Sequence, residues 1–336
     1  MKAPAMFSKA LEDNAVSCFL CAQHCKIAEG ETGFCGVRVN QGGTLYTLAY
    51  GETVARNVDP IEKKPLYHFL PDTLSYSIAT AGCNFHCGFC QNWQISRQAV
   101  ARGIIGDGRA FPPRAVVDAA EANACASIAY TYTEPTIFFE YAREIALAAK
   151  DRGIKNVFVT NGYMTRQALE AAADWLDAVN VDLKFWNDRT YRDTCRGRLR
   201  PVLDTIRRMK DLGIWLEVTT LVIPGGNDSE DDLAGIAGFL AGVDPEIPWH
   251  ISRFHPDYAF DSTPPTPLAS LETAERIGRE AGLHFIYPGN VPDARDTACP
   301  RCAKKVITHS WGGVQRNNLR DGRCPSCGEA VAGVWS

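Results

Sequence analysis

From Leu74 onward the chain alternates between short apolar runs and longer stretches where apolar residues return every three or four positions. Short runs rich in Val, Ile, Phe and Tyr predict strands, and the longer spacing predicts amphipathic helices. The strands fall at 74–80, 125–132, 154–160, 178–184, 214–223, 248–254 and 283–287. Helices fall between them at 112–122, 135–151, 165–175, 189–212, 229–241 and 269–281. Pro112-Pro113, Asn187-Asp188 and Asn227-Asp228-Ser229 stand where helices should begin. This alternation predicts an α/β fold, a parallel sheet with right-handed crossovers. Six or seven units are too few for a closed eight-fold barrel, so a partial (β/α)6 TIM-type barrel is expected over residues 73–292.

The flanking stretches pattern differently. Residues 37–58 alternate around Asn40-Gln41-Gly42-Gly43 and read as a β-hairpin. With the Pro-punctuated 59–71 they complete an N-terminal region, 1–72, expected to cover one end of the sheet domain. Residues 293–336 form a third part, a zinc-ribbon-like module.

Charge excludes some classes. The net charge of −4 supplies no positive field that would draw the chain onto nucleic acid or anionic lipid. The longest apolar run, Leu233 to Val243, is too short to span a bilayer. Acidic residues near the N-terminus stand where a signal peptide needs an apolar core, so the chain reads as cytoplasmic. Two local Arg clusters, at 189–200 and 316–323, read as solvated surface by default, with an acidic partner or RNA as the other reading.

The 13 cysteines change the picture most. They fall into three groups, with Cys125 and Cys195 left over, Cys125 as a core residue and Cys195 without a role. Cys18, Cys21, Cys25 and Cys35 give C-x2-C-x3-C-x9-C, which suits a structural zinc or an auxiliary iron–sulfur cluster; spacing does not separate the two. Cys299, Cys302, Cys324 and Cys327 form two C-x2-C knuckles, the pattern of a structural zinc site. The third group, Cys83, Cys87 and Cys90, is C-x3-C-x2-C in a loop after the first strand. Four ligands are usual for a structural zinc or an ordinary iron–sulfur cluster, and this loop offers three. A [4Fe–4S] cluster on three cysteines leaves one iron open to a small molecule. The competing reading is a zinc completed by His86 or a distant residue.

Strand ends carry further candidates. Glu134, in Y-T-Y-T-E-P-T, ends the second strand ahead of a Pro-led helix, so its carboxylate should face the barrel mouth. Asp182 and Lys184, two apart at the end of the fourth strand, should face the same side. Val222-Ile-Pro-Gly-Gly-Asn-Asp228 is either a close-approach wall or a turn and helix cap.

C-x3-C-x2-C after a strand, with Phe89 just before the third cysteine, resembles the radical S-adenosylmethionine (SAM) superfamily. The resemblance implies that the loop holds a [4Fe–4S] cluster, that SAM chelates its open iron, and that one electron cleaves SAM to a 5′-deoxyadenosyl radical that abstracts hydrogen from a substrate. It implies SAM contacts from Phe89, Gln91, Glu134 (to the methionyl ammonium), Asp182 (to ribose hydroxyls), Lys184 (to the carboxylate) and His255, and a one-electron donor such as flavodoxin or ferredoxin. Asp182-Leu183-Lys184 resembles the D-L-K of the pyruvate formate-lyase activating enzyme group, which implies a glycine of a partner protein as substrate. The four-Cys motif, V-A-R-N-V-D-P-I-E-K-K-P-L-Y-H-F-L-P at 54–71, Y-T-E-P-T-I-F-F-E-Y-A at 132–142 and the C-terminal cysteines resemble the radical SAM member of the AmmeMemoRadiSam system, which implies Memo-like and AMMECR-like partners. Radical chemistry on a small molecule or nucleotide is the second reading. A non-catalytic metal module that binds protein or RNA is the third.

Overall fold

The apolar runs become strands of one sheet. The computed structural model describes residues 2–106, 108–292, 295–310 and 313–336; the expected division after 292 falls outside them. We number the main strands β1 (Ala55–Pro60), β2 (Leu74–Ala79), β3 (Ser127–Tyr130), β4 (Lys155–Thr160), β5 (Ala178–Asp182), β6 (Trp215–Val222), β7 (Trp249–Arg253) and β8 (Ile286–Gly289). They lie side by side in chain order, β2 to β8 parallel and β1 antiparallel on the edge beside β2. Six helices make the crossovers: α1 (Pro113–Ala122), α2 (Phe139–Lys150), α3 (Arg166–Ala172), α4 (Leu199–Asp211), α5 (Glu230–Val243) and α6 (Leu268–Glu280). Parallel strands covered on both faces bury nearly every side chain, and β3 is buried at all its positions. Helix starts are capped as their residues dictate. Thr165 accepts from Ala168 N, and Ser229 accepts from Asp232 N with three acidic residues in the first turn of α5. Among the described residues no helix is long and apolar enough to cross a membrane.

One predicted helix is broken. The pattern at 189–212 reads as continuous, yet the chain makes a short turn at Asp188–Thr190, a wide π turn at Tyr191–Cys195, a left-handed Arg196 and only then α4. Gly197 permits the break, because a Cβ there would lie 2.3 Å from the Phe85 ring.

Residues 2–54 form two small antiparallel sheets, one of which pairs Arg38–Gln41 with Thr44–Thr47 around Gly42 and Gly43. A buried Arg38–Glu140 ion pair of 2.9 Å ties this region to α2. At the other end of the sheet, near the starts of β6 to β8, buried polar groups close the fold. The Glu217 carboxylate accepts from His68 N (2.8 Å), Tyr67 N (3.0 Å) and the Trp215 indole (3.1 Å), and it pairs with His250 Nε2 at 2.7 Å. His68 bonds Tyr287 Oη and the Ala332 carbonyl, and Tyr287 Oη reaches Thr297, which bonds His309. Val334 then pairs with His68 and Leu70 through the backbone. The C-terminal residues are thereby fixed to the sheet's lower edge. Removing one partner of such a network strands the others without water.

Glu217→Ala should therefore destabilise the fold by about 3–5 kcal/mol in denaturant unfolding, with Glu217→Gln costing less. A loss below about 0.5 kcal/mol for the alanine variant would show the network to be dispensable.

Candidate active site

The C-terminal ends of the parallel strands meet at one cavity. β2 runs into the cysteine loop, where Gly82 has φ +97° and a Cβ would lie 2.7 Å from the Cys35 carbonyl. Only glycine fits that turn and that approach. The loop closes partly on itself: Phe85 N donates to Cys83 Sγ (3.3 Å) and Cys90 N to the Cys87 carbonyl (3.3 Å). Its remaining support comes from the broken helix. His86 N donates to the Cys195 carbonyl (2.9 Å) and Gly88 N to the Thr194 carbonyl (3.1 Å). From above, Ala259 N donates to the Gly88 carbonyl at 3.0 Å and Trp93 stacks on Tyr258.

Among the described residues only Cys299, Cys302, Cys324 and Cys327 bring three or more metal-ligating atoms within 4.8 Å of one another. Cys83, Cys87 and Cys90 do not, so they stand wider than the ligands of one ion. His86 does not join them; its ring stacks on Phe34, and Nε2 lies 3.3 Å from the Phe34 carbonyl. Beside Cys83, the buried Asn84 accepts from Asn161 Nδ2 (2.7 Å), while Asn84 Nδ2 has no hydrogen-bond partner. An unsatisfied donor next to three separated thiols fits a sulfur-rich cluster.

The cavity is about 300 Å³, the lower end of the range for small-molecule sites. It is lined by the three cysteines with Phe89, Gln91, Glu134, Asp182 and Lys184. The structure thus gathers every residue expected to contact SAM except one. Glu134 is buried, and its Oε1 accepts from Thr136 N (3.0 Å), the Thr136 hydroxyl and the Thr160 hydroxyl (2.7 Å). Its Oε2 accepts from Asn161 N at 2.8 Å. Burial pushes this carboxyl up, against those four bonds. Lys184 Nζ and Asp182 Oδ2 lie 2.9 Å apart. Burial would lower Lys184, but Asp182 and the thiols of Cys87 and Cys195 hold it well above the ordinary lysine range.

His255 is the exception. Phe254 turns into the core, its N–H on the Thr266 hydroxyl (2.8 Å), so the next side chain faces solvent and lies outside the cavity lining. Ser252 and Asn290 line that side instead. Gly225 and Gly226 do not line the cavity either. They form a turn in which Asn227 accepts from Ile223 N and donates to the Lys184 carbonyl (2.6 Å), steadying Lys184 from behind. His250, at the strand start, is the structural histidine bound to Glu217.

Sequence reasoning missed four features. Asn161 stood in view at the end of β4. Cys195, read as unassigned, is fully buried against the cysteine loop, and its thiol holds Cys87 below the usual thiol range, ahead of the opposing effect of burial. Ser96 lies 3.4 Å from Cys90 Sγ. Tyr132, left-handed at φ +63°, donates to Asp59 (2.6 Å), which also pairs with the buried Lys64 (2.8 Å). This joins β1 to the cavity rim.

The C-terminal thiols pair at 3.6 Å (Cys299–Cys327) and 3.7 Å (Cys302–Cys324), a group that fits one tetrahedral ion. Cys18, Cys21, Cys25 and Cys35 line a separate small cavity.

Residues 77–237 match the radical SAM superfamily. Over 332 residues the chain is 42% identical to the uncharacterized protein MJ0808 of Methanocaldococcus jannaschii, spanning 97% of this chain and 98% of that one. The isethionate sulfite-lyase activating enzyme of Oleidesulfovibrio alaskensis is 27% identical over 122 residues, 35% of this chain and 40% of that protein. A radical SAM methyltransferase from Sphaerobacter thermophilus shares the fold, with a TM-score of 0.50 and 19% identity over 66% of this chain and 67% of that one.

Burial would raise Asp59, but bonds from Lys64, Tyr132 and Ser77 outweigh it and lower the carboxyl to about 2. A carboxyl held below its ordinary value of about 4 stabilises the fold above that pH, and the stability is lost as pH falls through the lower value. Urea unfolding between about pH 4 and pH 2 should show the parent losing more stability than Asp59→Asn; parallel losses would mean the bonds do not discriminate between protonation states.

Proposed function

Because this chain belongs to the radical SAM superfamily, we propose that it is an enzyme that cleaves SAM reductively and abstracts hydrogen from a partner protein, in the manner of activating enzymes. The observation that carries this reading is the single cavity that joins three separated thiols to Glu134, Asp182 and Lys184. Cys83, Cys87 and Cys90 would hold a [4Fe–4S] cluster. When bound, that cluster supplies one electron to the SAM sulfonium, which releases methionine and a 5′-deoxyadenosyl radical.

The chain's own residues bind and orient. Lys184 would leave Asp182 to meet the methionyl carboxylate, freeing Asp182 for the ribose hydroxyls. Three of the four bonds on Glu134 fall on Oε1, so Oε2 keeps capacity for the methionyl ammonium. Phe89 and Gln91 would close the wall. The 257–260 segment lies against the cysteine loop, with Ala259 N donating to the Gly88 carbonyl. The sheet would curl as a partial barrel with this cavity at its mouth. Cys299, Cys302, Cys324 and Cys327 would hold a structural zinc, since 2.3 Å Zn–S bonds space thiolates about 3.8 Å apart.

Resemblance to activating enzymes supports a protein substrate and a flavodoxin- or ferredoxin-like donor. Memo-like and AMMECR-like partners rest on the resemblance to the AmmeMemoRadiSam system.

Anaerobically reconstituted protein, given dithionite and SAM, should yield 5′-deoxyadenosine, and Cys83→Ala should yield none. A fully loaded protein without this product would refute the reading. Lys184→Ala should keep the cluster absorbance yet weaken SAM binding by about tenfold or more; unchanged affinity would remove Lys184 from the site. A glycyl electron-spin signal on an added partner would separate a protein substrate from a small molecule.

A further inference from the structure

Four cysteines have no part in that scheme. Cys18, Cys21, Cys25 and Cys35 surround one small cavity, closed by Leu20, Ile27 and Ile137. Sulfur separation distinguishes what such a set can hold. An ion with Zn–S bonds of 2.3 Å brings its thiolates to about 3.8 Å, the spacing of the C-terminal four. A cubane cluster places iron and sulfide between its ligands and spreads them to about 6 Å. Among the described residues no three N-terminal thiols, with or without His24, come within 4.8 Å of one another. They share this wide arrangement with Cys83, Cys87 and Cys90.

The cavity wall also carries donors suited to sulfur. Phe34 N donates to Cys25 Sγ at 3.4 Å. Arg38 lines the cavity at 2% exposure. Its terminal nitrogens hold Glu140, but its Nε is buried without a hydrogen-bond partner. Its charge is met by Glu140, so what it offers the thiols beside it is the spare Nε–H donor.

The two wide sites abut. The Cys35 carbonyl sits against Gly82, one residue before Cys83. Phe34 stacks on His86 at 3.7 Å between ring centres. Gln23 Nε2 donates to the Asn84 carbonyl at 2.8 Å. Residues next to the ligands of one site therefore touch residues next to the ligands of the other. His24 is exposed, and Cys21, Cys25 and Cys35 are half-buried, so the N-terminal site lies close to solvent.

We infer that Cys18, Cys21, Cys25 and Cys35 hold a second iron–sulfur cluster, which takes one electron from an external carrier and passes it to the cluster at Cys83, Cys87 and Cys90. The carrier, a reduced flavodoxin- or ferredoxin-type protein, is oxidised by one electron for each SAM cleaved. The N-terminal cluster is reduced and reoxidised in turn, and no bond to it forms or breaks. The relay rests on the radical SAM reading; the cluster itself does not.

The test is an iron, sulfide and zinc count with electron-spin spectra on the anaerobically purified full chain. The parent should hold iron and sulfide for two clusters plus one zinc. A Cys83→Ala/Cys87→Ala/Cys90→Ala variant should keep one cluster and its reduced-state signal. Zinc at the N-terminal site of that variant, with no sulfide, overturns the assignment. Cys21→Ser/Cys25→Ser should keep the other cluster, cleave SAM with dithionite at close to the parental rate, and slow about tenfold or more with reduced flavodoxin. Equal rates with both reductants, or equal losses, overturn the relay. Should the double variant not fold, spin–spin broadening in the reduced parent, absent from the triple variant, supports the relay, and two uncoupled signals overturn it. A parent with two clusters that does not cleave SAM would defeat the radical reading and the relay while leaving the cluster standing.

Discussion

The cysteine loop depends on two carbonyls that it does not own. Thr194 and Cys195 accept from Gly88 and His86, and without them much of the loop's backbone would lack partners. Presenting those carbonyls is incompatible with a regular helix, in which they would be spent within the helix. The chain between β5 and β6 gives up a turn, takes the left-handed Arg196 and resumes only at Leu199. Cys195 becomes a fully buried neighbour of Cys87 as a direct result.

The two ends of the parallel sheet do opposite work. At the carboxyl ends, strands stop in short turns that leave polar side chains projecting into one cavity, where Asp182 and Lys184 satisfy each other. At the amino ends the Glu217 carboxylate is fully taken up: it holds two backbone amides, an indole and His250. The first edge can exchange partners with a ligand. The second cannot, since each bond broken there leaves an unsatisfied group in a dry interior.

Cysteine geometry divides the chain's metal chemistry in the same physical terms. Thiols 3.6–3.7 Å apart suit a single ion and a closed, structural site. Among the described residues, neither of the other two groups brings three thiols within 4.8 Å of one another. Both wide groups lie at the cavity end of the molecule and share a packed boundary of Phe34, His86, Gly82 and Cys35.

Local chemistry made much of this legible without coordinates. Alternation and helical spacing are short-range properties, so six crossovers and seven parallel strands could be read from residues 74–290, and strand ends pointed to Glu134, Asp182 and Lys184. What required the tertiary structure were the contacts between distant segments. Whether His255 faces the cavity turns on one residue of parity set by Thr266; the role of Cys195 turns on a helix broken to serve a loop more than a hundred residues earlier; and Asp59 meets Tyr132 only because β1 folds back beside β2. Cysteine spacing along the chain identifies ligands. The distance between their sulfurs, which decides whether an ion or a cluster fits, depends on how the backbone is held in space.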